Sequence, residues 1–152
     1  MDFLLVGILG SLWGSFANVC IYRLPLKGGV VKGRSFCPKC KKKIFWYENI
    51  PILSYLFLGG KCSKCKKKIS SQYLLVETIS TISFLIIYYF FGISLTSILL
   101  MILFLSFLII FFIDLKHYII PNILTFPMMV LGFVKSFDPN LNPIFPNYTN
   151  SL

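Results

Sequence analysis

Two Cys-x-x-Cys pairs, Cys37/Cys40 and Cys62/Cys65 with twenty-one residues between them, carry the clearest chemistry in this sequence. Four thiolates at this spacing suit a tetrahedral Zn²⁺ site, each pair forming a tight knuckle that turns two sulfurs onto one metal. The alternative is four free thiols or two disulfides, but a bridge within Cys-x-x-Cys is strained and reducible. Four cysteines leave no open coordination position, so the expected metal is a structural staple and the implied compartment is reducing. Cys20 stands apart in an apolar run and is read as a small buried hydrophobe.

Three further polar residues lie in or beside apolar stretches. Glu77 falls within one, where an acid is costly and is by default a functional candidate; stabilisation by a helix N-terminus with a salt bridge to a loop Lys or Arg competes equally. Asp114 closes another apolar stretch. It either pairs with Lys116 or His117 at a membrane surface or acts as an acid/base where desolvation raises a carboxyl pKa. Asn18 needs a partner across a helix interface and is the third candidate.

The elements that must position these groups are membrane helices. Of 152 residues, 57% are apolar and 13% charged, which excludes an ordinary soluble domain. Thirteen of the fifteen Lys and Arg lie between Arg23 and Lys68, around the cysteines. A basic patch can bind nucleic acid, but basic residues in a short loop between apolar spans follow the positive-inside rule, so no nucleic-acid partner is implied.

The expected fold is an all-α membrane protein of about four transmembrane helices, with a cytoplasmic four-cysteine zinc-ribbon loop after the first. Residues 1–22 form the first helix, with Gly7, Gly10, Ser11, Gly14 and Asn18 making a small, slightly polar stripe for close helix packing. Positive charge follows this stretch, which argues against a secretory signal and puts the N-terminus outside. Residues 23–70 are the basic zinc-binding loop. Its apolar run Ile50–Leu58 is too short to span and is read as a membrane-surface or core segment holding the ribbon to the bilayer. Residues 71–134 hold the remaining spans, 71–91, 95–113 and the start of a fourth at 123–134, and return Asp114 to the face of the loop. Residues 135–152 are a polar tail, read as truncated. The chain is read as free of internal repeats.

The run Gly14-Ser15-Phe16-Ala17-Asn18-Val19-Cys20-Ile21-Tyr22-Arg23-Leu24-Pro25 resembles the G-S-F-x-N-V-x-I-x-R-L-P signature of the bacterial type IV prepilin (leader) peptidases. Cys37-Pro38-x-Cys40, Asn49-Ile50-Pro51-Ile52-Leu53-Ser54-Tyr55 and Gly60-Lys61-Cys62-x-x-Cys65 resemble that family's cytoplasmic loop. Tyr73 to Glu77 resembles its entry into the second span, and Ile113-Asp114-Leu115 with Pro121 its first catalytic aspartate.

The resemblance implies a multi-pass aspartic peptidase of the bacterial inner (cytoplasmic) membrane, its zinc loop cytoplasmic. Such enzymes cut the basic leader from type IV pilin or type II secretion pseudopilin precursors, and many then N-methylate the new N-terminus with S-adenosylmethionine. It implies Asp114 as one of two catalytic carboxylates, Cys37, Cys40, Cys62 and Cys65 as Zn²⁺ ligands, and Asn18, Arg23 and Glu77 as candidates for methyl transfer or substrate binding. Pilin precursors and the lipid bilayer are the implied partners. The family's second aspartate lies in a Gly-x-Gly-Asp motif that does not occur here; Asp138 lacks the glycines and is expected on the opposite face, and Asn122 stands where an Asp is expected. The chain is therefore read as an N-terminal portion with no peptidase turnover by itself. The alternative is a non-peptidase, zinc-stapled membrane protein that binds pilin precursors or acts only as a methyltransferase, and a third reading is an unrelated zinc-ribbon adaptor for acidic partners.

Overall fold

A computed structural model describes residues 2–26, 36–37 and 39–137. Asp138 and the tail beyond it, with loop residues 27–35, lie outside the described residues. Three helices are long and apolar enough to cross a membrane: α1 (Asp2–Arg23), α3 (Gln72–Phe91) and α4 (Leu95–His117). A single turn, α2 (Leu53–Phe57), belongs to the cysteine loop, and α5 (Asn122–Phe137) follows α4. No strand occurs among the described residues, only two isolated antiparallel bridges, Phe36 with Lys43 and Lys61 with Lys68.

The glycine stripe sets the packing of α1 on α3. A Cβ at Gly14 would lie 2.7 Å from the Cα of Glu77, and one at Gly10 would lie 2.9 Å from the Cα of Thr81. Only a residue without a side chain lets the backbones approach so closely. The pair is antiparallel. At one end the rings of Phe3 and Tyr88 meet edge-on at 4.9 Å, and near the other the Asn18 amide donates to the Tyr73 carbonyl at 3.1 Å.

α4 lies across both helices and closes a core of Ala17, Ile21, Val76, Leu105, Ile109 and Ile113. The remaining large apolar side chains mostly face outward, as expected where lipid replaces water. Gly92, at φ +59°, ends α3; Ser94 and Ser97 then exchange hydrogen bonds at 3.1 Å and start α4. That helix runs a turn beyond the expected 113, to a left-handed Tyr118 (φ 52°) whose N–H donates to the Asp114 carbonyl. Asp114 therefore sits in the last turn of α4. The sixteen described residues of α5, with Pro127 inside the helix, span about 24 Å.

Candidate functional site

The four cysteine sulfurs lie within 4.8 Å of one another, with Cys37 Sγ and Cys65 Sγ 3.9 Å apart and Cys40 Sγ and Cys62 Sγ also 3.9 Å apart. Sulfurs at 2.3 Å from a tetrahedral Zn²⁺ would stand roughly 3.8 Å apart, so the cluster fits one ion with little movement. The same separation is far too long for disulfides, and all four are free.

The centre is built from two copies of one knuckle. Cys37-Pro38-Lys39-Cys40-Lys41-Lys42-Lys43-Ile44 and Cys62-Ser63-Lys64-Cys65-Lys66-Lys67-Lys68-Ile69 share the pattern C-x-K-C-K-K-K-I, so the expectation of no internal repeat is wrong. The copies fold alike. Cys37 N–H donates to the Lys42 carbonyl and Cys62 N–H to the Lys67 carbonyl, each at 2.9 Å. Lys41 (φ 53°) and Lys66 (φ 57°) take the left-handed conformation at equivalent places, and the two bridged pairs flank them equivalently. In each copy backbone N–H groups point at the first sulfur. Those of Cys65 and Lys64 lower the Cys62 thiol to about 6, and those of Cys40 and Lys39 lower that of Cys37. Such donors stabilise thiolates, the form a metal needs.

A polar tie joins the knuckles. Lys42 Nζ donates to Glu48 Oε1 at 2.7 Å and to Ser63 Oγ at 2.6 Å, while Phe45 N–H donates to Glu48 Oε2 at 3.1 Å. The Lys42 hydrogen bond leads in holding the Glu48 carboxyl down at about 2. Glu48 was not singled out in the sequence, although it is the sole acid between residues 23 and 70, a signal that could have found it.

Between the knuckles and the α1–α3 seam lies a cleft of about 380 Å³. Asn18, Arg23 and Glu77, three of the expected site residues, line it together with Cys37 and Cys62. Tyr55 and Tyr73, which the sequence offered only as parts of the family-like runs and not as site residues, line it as well. Asn18 is buried, and the donation of Nδ2 to the Tyr73 carbonyl fixes the amide so that Oδ1 has no partner among the described residues. Glu77 is also buried, and its Oε2 accepts the backbone N–H of Ile52 at 2.7 Å. Its partner is thus a loop amide, where a Lys or Arg was the expected structural role.

Asp114 is exposed and lines neither this cleft nor the smaller cavity of about 140 Å³ beside it. Lys116 and His117, one turn on, line that cavity with Asn18 and Tyr73, so the end of α4 bearing Asp114 sits at the loop end of the bundle. Among the described residues no side chain hydrogen-bonds to the Asp114 carboxylate.

A family model described as "Bacterial Peptidase A24 N-terminal domain" matches residues 8–91, more than half of the chain, and one described as "Type IV leader peptidase family" matches residues 99–149. A protein of Vibrio cholerae serotype O1 named prepilin leader peptidase/N-methyltransferase is 41% identical, over 86% of this chain and 55% of its own length. Proteins of the same name from Myxococcus xanthus and Neisseria gonorrhoeae are 39% and 34% identical, over 86% and 92% of this chain and 39% and 57% of their own length. The chain thus spans about half the length of the curated relatives it matches. No solved structure matches. With both models in order along the chain, and the cysteine knuckles and the α1–α3 seam inside the first, the chain belongs to the type IV leader peptidase family.

Proposed function

We propose that this chain is the N-terminal part of a leader peptidase that cleaves type IV pilin or pseudopilin precursors, and that its cleft serves N-methylation of the new N-terminus. In this reading the protein sits in the bacterial inner membrane with the cysteine loop in the cytoplasm, where the bias of basic residues puts it. The reading keeps the division into a first helix, a zinc loop at 23–70 and a following helical part, which the lengths of the apolar runs support.

The observation that carries the reading is the gathering of Asn18, Arg23 and Glu77 on one cleft, at the end of the bundle that also bears Asp114. Asp114 is one of two carboxylates that share a proton, one activating water and the other protonating the leaving amine. The reading requires the second from outside the described residues. The four cysteines would hold Zn²⁺, which when bound staples the two knuckles. Asn18, Glu77 and the aromatic faces of Tyr55 and Tyr73 suit a cationic cofactor such as S-adenosylmethionine, which would supply the methyl group. Arg23 is the residue for a carboxylate of cofactor or substrate.

The test is processing of a pilin precursor in a strain without its own leader peptidase, using the complete gene. Cleavage by the natural protein and its loss in Asp114→Asn is the expected outcome. Unchanged cleavage by that variant would remove the basis of the peptidase assignment.

A further inference from the structure

α2 is turned outward. Leu53, Leu56 and Phe57, at helical spacing on one face, are 51%, 60% and 86% exposed, while Ser54, Tyr55 and Leu58 face inward and line the cleft. Trp46, just before it in the loop, is 81% exposed. A single turn cannot hold so much apolar surface in water without a cover.

The tie to Glu77 fixes the level at which this face sits. α3 has twenty residues, about 30 Å, which is the thickness of the hydrocarbon core, so it has no length to spare. Glu77 is its sixth residue, about 7 Å in from its start. Its Cα lies beside Gly14, nine residues before the end of α1, about 13 Å along that helix. A glutamate side chain leaning back toward the helix start recovers only part of this depth. Ile52, whose N–H is 2.7 Å from that carboxylate, therefore sits at the inner edge of the interface, and α2 starts at the next residue.

Charge indicates which lipids meet it. Eight exposed lysines lie between Lys39 and Lys68, and the single acid of that stretch, Glu48, is already paired with Lys42. Trp and Tyr at the headgroup level with lysines beyond them are the pattern of a segment resting on an anionic leaflet.

We infer that α2 is an interfacial helix: Leu53, Leu56 and Phe57 enter the acyl boundary of the bilayer, the knuckle lysines grip anionic headgroups, and the inner face of the same turn walls the cleft. The membrane is thereby part of the scaffold of the cleft, and its anionic content sets how firmly that wall is held.

The experiment uses the full chain reconstituted in vesicles of phosphatidylcholine, with or without phosphatidylglycerol, carrying acyl chains brominated at shallow or deep positions. A Trp13→Phe/Trp46→Phe background receives Phe57→Trp, with N-acetyltryptophanamide in the same suspension as the aqueous reference. Position 57 should be quenched strongly by shallow bromines and weakly by acrylamide in the aqueous phase, the reference the reverse. Phosphatidylglycerol should increase quenching at 57, and high salt should cancel that increase. Native Trp46 in a Trp13→Phe protein repeats the measurement without touching α2. Quenching at 57 and 46 by acrylamide to the extent of the aqueous reference would overturn the inference. So would protection from both quenchers, which would mean that protein covers this face, and so would indifference to phosphatidylglycerol.

Discussion

The backbone N–H of Ile52 donates to the carboxylate of Glu77 at 2.7 Å, joining a turn of the cysteine loop to the interior of a membrane helix. Ile52 has φ 61° and ψ −56°, and Leu53 N–H closes on the Pro51 carbonyl, so the turn is a γ-turn of the rare positive-φ kind at a β-branched residue. Such a conformation persists only where its surroundings enforce it.

Removing the acceptor should therefore release the turn. Glu77→Ala leaves a part-buried amide unpaired and is expected to destabilise the protein by about 1–2 kcal/mol. Glu77→Gln keeps an acceptor oxygen and should lose less. Amide hydrogen exchange at Ile52 and thermal unfolding in detergent check both, with faster exchange expected at Ile52 in Glu77→Ala alone.

The cysteine centre should bind one Zn²⁺ per chain, and Cys37→Ser or Cys65→Ser should each abolish stoichiometric binding, measured by metal analysis of purified protein. Binding should release protons, because thiols must give up theirs. Backbone donors hold the Cys62 thiol down at about 6, while burial and the neighbouring sulfurs push the Cys65 thiol up to about 11, so a metal displaces protons from the centre through the neutral range. Apparent zinc affinity should fall increasingly steeply as pH drops through about 6, and titrations with a competing chelator across this range measure the slope.

Lys42 connects the two copies of the knuckle through Glu48 and Ser63. Lys42→Met should leave the zinc stoichiometry unchanged and weaken affinity by roughly tenfold or less, since none of the three residues is a ligand. Glu48→Gln should act through the same tie, so the double variant should be little worse than either single one. Additive losses would show that the tie does not couple the knuckles.

Helix packing gives a graded series. A Cβ at Gly14 meets backbone at 2.7 Å, one at Gly10 at 2.9 Å, and one at Gly7 only side-chain atoms at 3.8 Å or more. Gly14→Ala and Gly10→Ala should each destabilise by about 1–3 kcal/mol, whereas Gly7→Ala should be nearly silent. Thermal melts of the three variants decide the order.

Much of this was legible because its causes are local. Apolar length gives the spans, the glycine spacing gives the α1–α3 contact, and Cys-x-x-Cys spacing gives the centre. The knuckle repeat was equally visible in C-x-K-C-K-K-K-I and was overlooked. The partner of Glu77 was not legible: pairing by charge pointed to a lysine or arginine, while the hydrogen bond found comes from a main-chain group made available by a strained turn that no propensity favours. The extension of α4 past Asp114 depends on the left-handed cap at Tyr118, for which a tyrosine gives no signal.

The proposed function puts cleavage and methylation in different places, Asp114 outside the cleft and Asn18, Arg23 and Glu77 among its lining residues. The most direct test expresses the complete gene with a pilin precursor and reads the N-terminus of the product by mass spectrometry. Asp114→Asn should yield no cleaved product, whereas Arg23→Gln should yield cleaved product lacking the methyl group. Cleaved product from the first variant, or fully methylated product from the second, would contradict the account.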